Sequence, residues 1–245
     1  MPSATNLHSK APTLAVILGA GRGRRLAPIT DTVPKPLLPY RGRALIDYTL
    51  DEIIRADLTR VTVITGHQAE KIEDHLQTKA NNALEIRSRR QENLNGTAAA
   101  LTFAEQDLEP NDELVLISAS DYIAYRGVYM DLVEFHMSHS FHIAVSAKAI
   151  SKEKMTSSSQ IEFDQIGNVT SICEKPEQNE YKSGIAASLI YIAPVTIFEF
   201  AKKEEESMRG ESELTSTVSR MIKSGYSAAA LRQDRLIDIG STFTP

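Results

Sequence analysis

Residues Leu14–Pro39 read LAVILGAGRGRRLAPITDTVPKPLLP. Five apolar residues running straight into glycine have the pattern of a short, fully buried parallel strand. The loop that follows gathers Arg22, Arg24, Arg25 and Lys35, with Asp31 as the single acid among them. The whole chain carries a net charge of −5, so this is a local cationic site in an acidic molecule. Such a distribution suits a small anionic ligand and argues against a protein that coats nucleic acid, which needs a broad basic surface. Glycines let backbone N–H groups approach an anion, and arginine supplies planar donors that fork onto two oxygens and stay charged. A solvated basic surface loop is the plain alternative on this pattern alone.

Two better-known glycine loops do not fit. In the dinucleotide motif the third glycine allows close helix packing, but here Arg24 occupies that position. The next strand, VTVIT at 61–65, runs into Gly66-His67 and not into a ribose-binding acid. A phosphate-binding P-loop would close with Gly-Lys-Ser/Thr, which is absent from this turn.

Outward from the loop, the segment 45–56 places Ile46, Leu50, Ile53 and Ile54 on one helical face, followed by the strand 61–65 and a short helix at 69–76. A strand at 84–87, a helix at 97–105 entered through Gly96, and the apolar run LVLI at 114–117 continue the alternation, ending in the polar turn Ser118–Asp121. Strand alternating with helix predicts a doubly wound α/β fold: a mixed, mainly parallel sheet flanked by helices, with ligands beyond the carboxyl ends of the strands. After a helix at 128–138 the texture changes. HIAVSAKAI (142–150), QIEFD (160–164), a turn at Gly167-Asn168, VTSICE (169–174) and SLIYI (188–192) predict a small antiparallel, substrate-facing lobe. Helices near 195–206 and 212–224 and a last strand pair at 228–231 and 236–237 complete the chain.

At 245 residues with 42% hydrophobic and 24% charged residues, the composition is that of an ordinary globular protein. The expectation is one domain over 13–245 behind a flexible tail over 1–12. Cys173 is the only cysteine, the N-terminus lacks the apolar core of a signal peptide, and no apolar run is long enough to span a bilayer. These features predict a cytoplasmic protein without membrane or nucleic-acid partners; they leave a homo-oligomer open.

The segment from Leu18 to Pro39 resembles the signature loop of the sugar-phosphate nucleotidylyltransferases: a glycine-rich turn, Arg-Leu, a short variable stretch, then Lys-Pro-Leu-Leu-Pro. GTAAAL at 96–101, a strand-end aspartate at 121, EKP at 174–176 and Asp-Ile-Gly at 238–240 follow in the family's order. The resemblance implies the GT-A-like nucleotidyltransferase fold and a reaction in which a sugar 1-phosphate oxygen attacks the α-phosphorus of a nucleoside triphosphate, releasing pyrophosphate. It implies that Arg25 holds the triphosphate and Lys35 the α-phosphate, and that Asp121 and Asp238 hold Mg²⁺. Leu18, Gly19, Ala20, Gly21, Gln91 and Gly96 would line the nucleotide, with Glu174 and Lys175 facing the acceptor. An attacking phosphate is already ionised, so alignment and charge neutralisation carry such a reaction and no strong base is needed.

Several positions depart from the pattern. Arg24 replaces a small residue and Ala20 a glycine; Leu189 stands where a glycine is usual, and Leu236-Ile237 where an aromatic is common. The last two predict an acceptor other than an ordinary hexose 1-phosphate. The family also tends to continue into a further helix and often a β-helix, for which these residues leave no room, so no acyltransferase activity is expected of them. Outside the motifs, His136, His139 and His142 read as exposed histidines at a helix end in preference to a zinc site, Cys173 as a small core or pocket residue, and KKEEES at 202–207 as a solvated helix face. The alternatives to a sugar-phosphate enzyme are a cytidylyltransferase acting on a phosphorylated alcohol such as phosphocholine, a GT-A glycosyltransferase, disfavoured by the single acid in Ala119-Ser120-Asp121, and a non-catalytic nucleotide-binding module.

Overall fold

The computed structural model describes residues 10–80, 83–124, 127–176, 183–205 and 210–239. In chain order the elements are β1 (Leu14–Leu18), α1 (Ile29–Thr32), β2 (Pro39–Tyr40), β3 (Arg43–Ala44), α2 (Leu45–Arg55), β4 (Arg60–Thr65), α3 (Ala69–Gln77), β5 (Glu85–Arg90), α4 (Thr97–Thr102), β6 (Leu114–Ala119), β7 (Tyr122–Ala124), α5 (Val128–Ser138) and β8 (Ile143–Ala149). They continue with β9 (Ser159–Phe163), β10 (Val169–Glu174), β11 (Ile185–Pro194), α6 (Ile197–Lys202), α7 (Leu214–Lys223), β12 (Ala228–Arg232) and β13 (Leu236–Asp238).

Apolar runs become central strands because burial on both faces is the only way to remove them from water. β1 lies between β4 and β6, parallel to both, and β5 extends the parallel set beyond β4. The alternation of β1 then serves two cores: Leu14, Val16 and Leu18 pack with α4, α6 and α7 residues, while Ala15 and Ile17 pack with Ile46, Leu50 and Ile53 of α2. Each fully buried Leu or Ile contributes roughly 1.5–3 kcal/mol. β11 joins the two halves of the mixed sheet. Its last residues run antiparallel to β6, its first pair with β9, and its other edge pairs with β8. The sheet order is β10-β9-β11-β6-β1-β4-β5, with β8 and β12 attached through β11.

Because β1, β4, β5 and β6 are parallel, the loops after them emerge at one edge. Backbone hydrogen bonds knit them together: Gly19 N to Ile64 O at 2.9 Å, Gln91 N to Thr65 O at 2.8 Å, His67 N to Ala20 O at 3.0 Å and Ser120 N to Leu18 O at 3.2 Å.

The sheet corrects several sequence expectations. Ile54 is 38% exposed, off the buried face made by Ile46, Leu50 and Ile53, because α2 packs on one side only. β5 runs to Arg90, three residues past the expected end, carried by pairing with β4 against its polar sequence. α4 stops at Thr102 and gives way to a separate turn at Glu105–Asp107, while α6 and α7 are shorter than expected at both ends. β12 and β13 do not pair with each other: β12 joins β8 and β13 joins β7.

His136 and His142 are buried, hydrogen-bonding the His142 carbonyl and Ser227 respectively, and only His139 is exposed, against Phe135. Cys173 is exposed, on the outward side of β10. Within 202–207, Glu204 is turned inward to Thr217 and Arg220; residues 206 and 207 lie outside the described residues. So do residues 1–9 of the expected tail and Gly240 of the Asp-Ile-Gly triplet. Lys10 pairs with Glu113 and Pro12 is buried, so the end of that expected tail packs against the body.

Candidate active site

The loop after β1 is built by its own residues. Gly23 adopts φ +64, the left-handed region where a side chain is strained, and a Cβ there would sit 2.9 Å from Thr30. Thr30 Oγ1 donates to the Gly23 carbonyl at 3.1 Å, closing the loop on itself. Arg24 and Arg25 fall on the single turn that follows, Arg24–Leu26. Pro34 then leads into a second turn, Lys35–Leu37, whose Pro36 is buried against the position of Gly19. Proline fixes the backbone on either side of Lys35, which limits the directions its side chain can take.

This loop forms one wall of a cavity of about 510 Å³. All twelve residues singled out above line it: Leu18, Gly19, Ala20, Gly21, Arg25, Lys35, Gln91, Gly96, Asp121, Glu174, Lys175 and Asp238. They come from segments more than two hundred positions apart, and only the fold brings them together. Arg22 and Arg24 line it as well; like Arg25 they are exposed and make no hydrogen bond or ion pair among the described residues.

Three groups of contacts organise the interior. Lys35 Nζ donates to Asp121 Oδ2 at the end of β6. The ladder of β13 on β7 sets Asp238 opposite Tyr122, and the Ile239 N–H reaches the Asp121 carbonyl at 3.1 Å. Asp238 Oδ2 lies 3.7 Å from Lys148 Nζ on β8. Burial, with both aspartates adding to it, lifts the Tyr122 hydroxyl well above its usual range, and Tyr122 OH accepts the Leu189 N–H at 3.3 Å. On the antiparallel side, Glu174 accepts from Ser159 Oγ and from Thr215 Oγ1 at 3.2 Å, and its other oxygen is 3.1 Å from Lys175 Nζ. Lys175 itself sits at φ +42, a backbone state uncommon for a residue with a side chain.

Gln91 is buried where β5 ends, donating to Asn95 Oδ1 at 3.0 Å and to the Gly96 carbonyl at 3.2 Å. Gly96 has φ +115, and a Cβ there would come within 2.1 Å of the Ser212 carbonyl oxygen. Loop 210–213 therefore lies directly on the start of α4.

The donor set suits a hard divalent cation. Asp121 and Asp238 offer carboxylate oxygens on paired backbone segments, and Mg²⁺ is commonly held by one or two carboxylates with water and substrate phosphate completing its shell. Among the described residues no three His, Cys, Asp or Glu side chains converge as a self-sufficient metal site.

Lys148, Tyr122, Ser159 and Thr215 were missed in the sequence. Lys148 left a trace there, being the one charged side chain in the otherwise apolar and small run of β8. The hydroxyl pair on Glu174 left none, since its partners belong to β9 and α7.

The nucleotidyl transferase family profile matches residues 14–243. The low-salt glycan biosynthesis nucleotidyltransferase Agl11 of Haloferax volcanii is 31% identical over 86% of this chain, which spans 57% of that protein's length. The UTP–glucose-1-phosphate uridylyltransferase AglF of the same organism is 25% identical, covering 92% of this chain and 90% of its own. Among solved structures, a UDP-glucose pyrophosphorylase complexed with UDP-glucose superposes with a TM-score of 0.82 at 22% identity over 94% of both chains, which establishes the fold. A glycine loop, a mixed sheet and a strand-edge cavity that agree with one family profile over nearly the whole described chain lead to one statement: this protein belongs to the nucleotidyl transferase family.

Proposed function

We propose that residues 13–245 act as one domain that catalyses transfer of a nucleotidyl group from a nucleoside triphosphate to a sugar 1-phosphate, giving a nucleotide-sugar and pyrophosphate with Mg²⁺ as cofactor. The observation that carries this reading is the cavity itself: its lining brings together three arginines that have no partner among the described residues, two lysine–aspartate pairs and the Glu174–Lys175 pair of the antiparallel side.

In this reading the acceptor phosphate oxygen attacks the α-phosphorus, a new P–O bond forms, and the bond to the β-phosphate breaks with its electron pair leaving on pyrophosphate. Arg25 binds the β- and γ-phosphates and stabilises the charge that accumulates there. Lys35, stiffened by its flanking prolines, donates to the α-phosphate. Lys175 orients the acceptor phosphate for attack, and the backbone of Leu18–Gly21 with Gln91 and Gly96 accepts the nucleoside. Asp121 and Asp238 would hold the cation, which would supply neutralisation of the triphosphate charge.

A second acceptor class is favoured by one observation. Leu189 lines the cavity, and the Glu174 carboxylate is already engaged by two hydroxyls and a lysine. Less room and fewer free acceptors remain for a ring bearing several hydroxyl groups, which suits a small phosphorylated alcohol such as phosphocholine.

A pyrophosphate-release screen of ATP, CTP, GTP, UTP and dTTP against sugar 1-phosphates and phosphorylated alcohols tests both. Release that depends on one triphosphate, one acceptor and Mg²⁺ is the expected result. Tight nucleotide binding without release for any pair would instead indicate a binding module.

A further inference from the structure

We propose that Lys148 is a displaceable counter-ion: it neutralises Asp238 while the site is empty and passes its charge to the acceptor phosphate once a divalent cation takes that carboxylate. The inference rests on the function proposed above. It concerns a residue on β8 that the sequence motifs do not include.

Two carboxylates act on Tyr122, and each is paired with a lysine. Asp121 precedes it in the chain and Asp238 opposes it across the β13–β7 ladder, while Lys35 pairs with the first and Lys148 with the second. Lys148 Nζ also lies 5.5 Å from the centroid of the Tyr122 ring. All four line the one cavity and all are largely covered, with side chains 16–27% exposed. Two carboxylates this close to one buried ring would repel each other without a cation, and the two lysines supply that charge within the protein.

The two pairs are not equivalent. Lys35 donates a direct hydrogen bond to Asp121. Lys148 stands 3.7 Å from Asp238, beyond hydrogen-bonding distance, so the attraction is electrostatic and lacks a bond that fixes its direction. Lysine is a flexible point charge, suited to exchanging one oxygen partner for another. Its neighbours across the sheet mark where it would turn. Lys148 pairs in register with Ala186 on β11, and Ala186 and Ala187 pair with Gln160 and Ser159 on β9. Ala186, Ala187 and Ser159 line the acceptor end of the cavity beside Glu174 and Lys175. A lysine freed from Asp238 there meets the acceptor phosphate, not the triphosphate tail on the arginine wall.

The test uses the full chain, wild type and the variants Lys148→Met and Lys148→Arg. Mn²⁺ binding to the nucleotide-free protein is titrated by electron paramagnetic resonance, a readout that needs no turnover. Removing a positive charge beside Asp238 is expected to tighten Mn²⁺ binding in Lys148→Met by about fivefold or more, with Lys148→Arg close to wild type. In steady-state kinetics with whichever triphosphate and acceptor the wild type uses, Lys148→Met is expected to raise the acceptor KM about tenfold or more and leave the triphosphate KM within about twofold. Unchanged or weaker Mn²⁺ binding in a Lys148→Met protein with a wild-type circular dichroism melt overturns the proposal, whatever the kinetics. Absence of pyrophosphate release by the wild type would instead overturn the assigned reaction, and the Mn²⁺ titration would still decide the pairing of Lys148 with Asp238.

Discussion

Arg25 and Lys35 belong to one loop but have different surroundings, and single substitutions should separate them. The Arg25 guanidinium is exposed and makes no bond among the described residues, so Arg25→Ala removes nothing that holds the fold. Its expected effect is a loss of turnover of about a hundredfold or more, from ~3–4 kcal/mol of transition-state stabilisation. Stability should stay within about 0.5 kcal/mol of wild type by urea unfolding. Lys35→Ala should lose as much turnover and in addition leave Asp121, 16% exposed, without its cation, costing on the order of 1 kcal/mol in the same unfolding measurement. Near-normal pyrophosphate release by one variant would remove the residue it replaces from the chemistry. At this scale the site was legible where a residue belonged to a contiguous motif. Lys148 was not, because its significance comes from Asp238, reached only through a three-residue ladder between β7 and β13.

Elements were legible in proportion to how much of their stability is local. β1 is an unbroken apolar run and β6 opens on one, LVLI, while β4 mixes valine and isoleucine with threonine; α5 begins and ends where its pattern predicts, Val128–Ser138. β5 is a polar strand, EIRSRR, whose extent is set by its partner β4, so propensity could not place its end. The junction of α4 with loop 210–213 is likewise a tertiary product. Ser212 accepts the Ala98 N–H at 3.0 Å and donates its own N–H to the Asn95 carbonyl at 2.8 Å, with Gly96 between them. Gly96→Ala puts a Cβ into the Ser212 backbone in a conformation that already disfavours side chains. It is expected to lower stability by roughly 2–4 kcal/mol and to weaken nucleotide binding, measured by urea unfolding and nucleotide titration. Gly21→Ala is the control in the same cavity, since a Cβ there meets nothing within 4 Å; its unfolding midpoint should match wild type. Equal destabilisation by the two would show that the Ser212 contact is not what requires glycine at position 96.

Over the whole molecule, buried carboxylates join segments distant in sequence, and their titration sets how stability follows pH. Asp47 on α2 accepts from His75 Nε2 at 2.7 Å and from Lys79 Nζ at 2.9 Å, tying α2 to the α3 region. Burial pushes its carboxyl up, but these bonds outweigh burial and leave it below the usual aspartate value of 3.8. Asp112 is held low in the same way, burial being overcome by the Glu109 N–H, Thr13 and Arg60. A depressed folded pKa means that the unfolded chain takes up protons first as pH falls, so this stability is full above about pH 4 and is lost progressively below it. Glu52 has the opposite sign: burial, only partly offset by the Gly127 N–H at 2.8 Å, raises it above 4.5. Its contribution is full below 4.5 and declines as pH rises through the raised value. Asp47→Asn should therefore cost roughly 1.5–3 kcal/mol at neutral pH, the range for a charged hydrogen bond, with the deficit shrinking as pH falls below 3.8. Glu52→Gln keeps an oxygen for the Gly127 N–H and removes a buried charge, so it should be at least as stable as wild type at neutral pH and lose that advantage below 4.5. Urea midpoints for the three proteins across the acid and neutral range decide both signs. A constant Asp47→Asn deficit at every pH would mean that the contact stabilises through packing and not through charge.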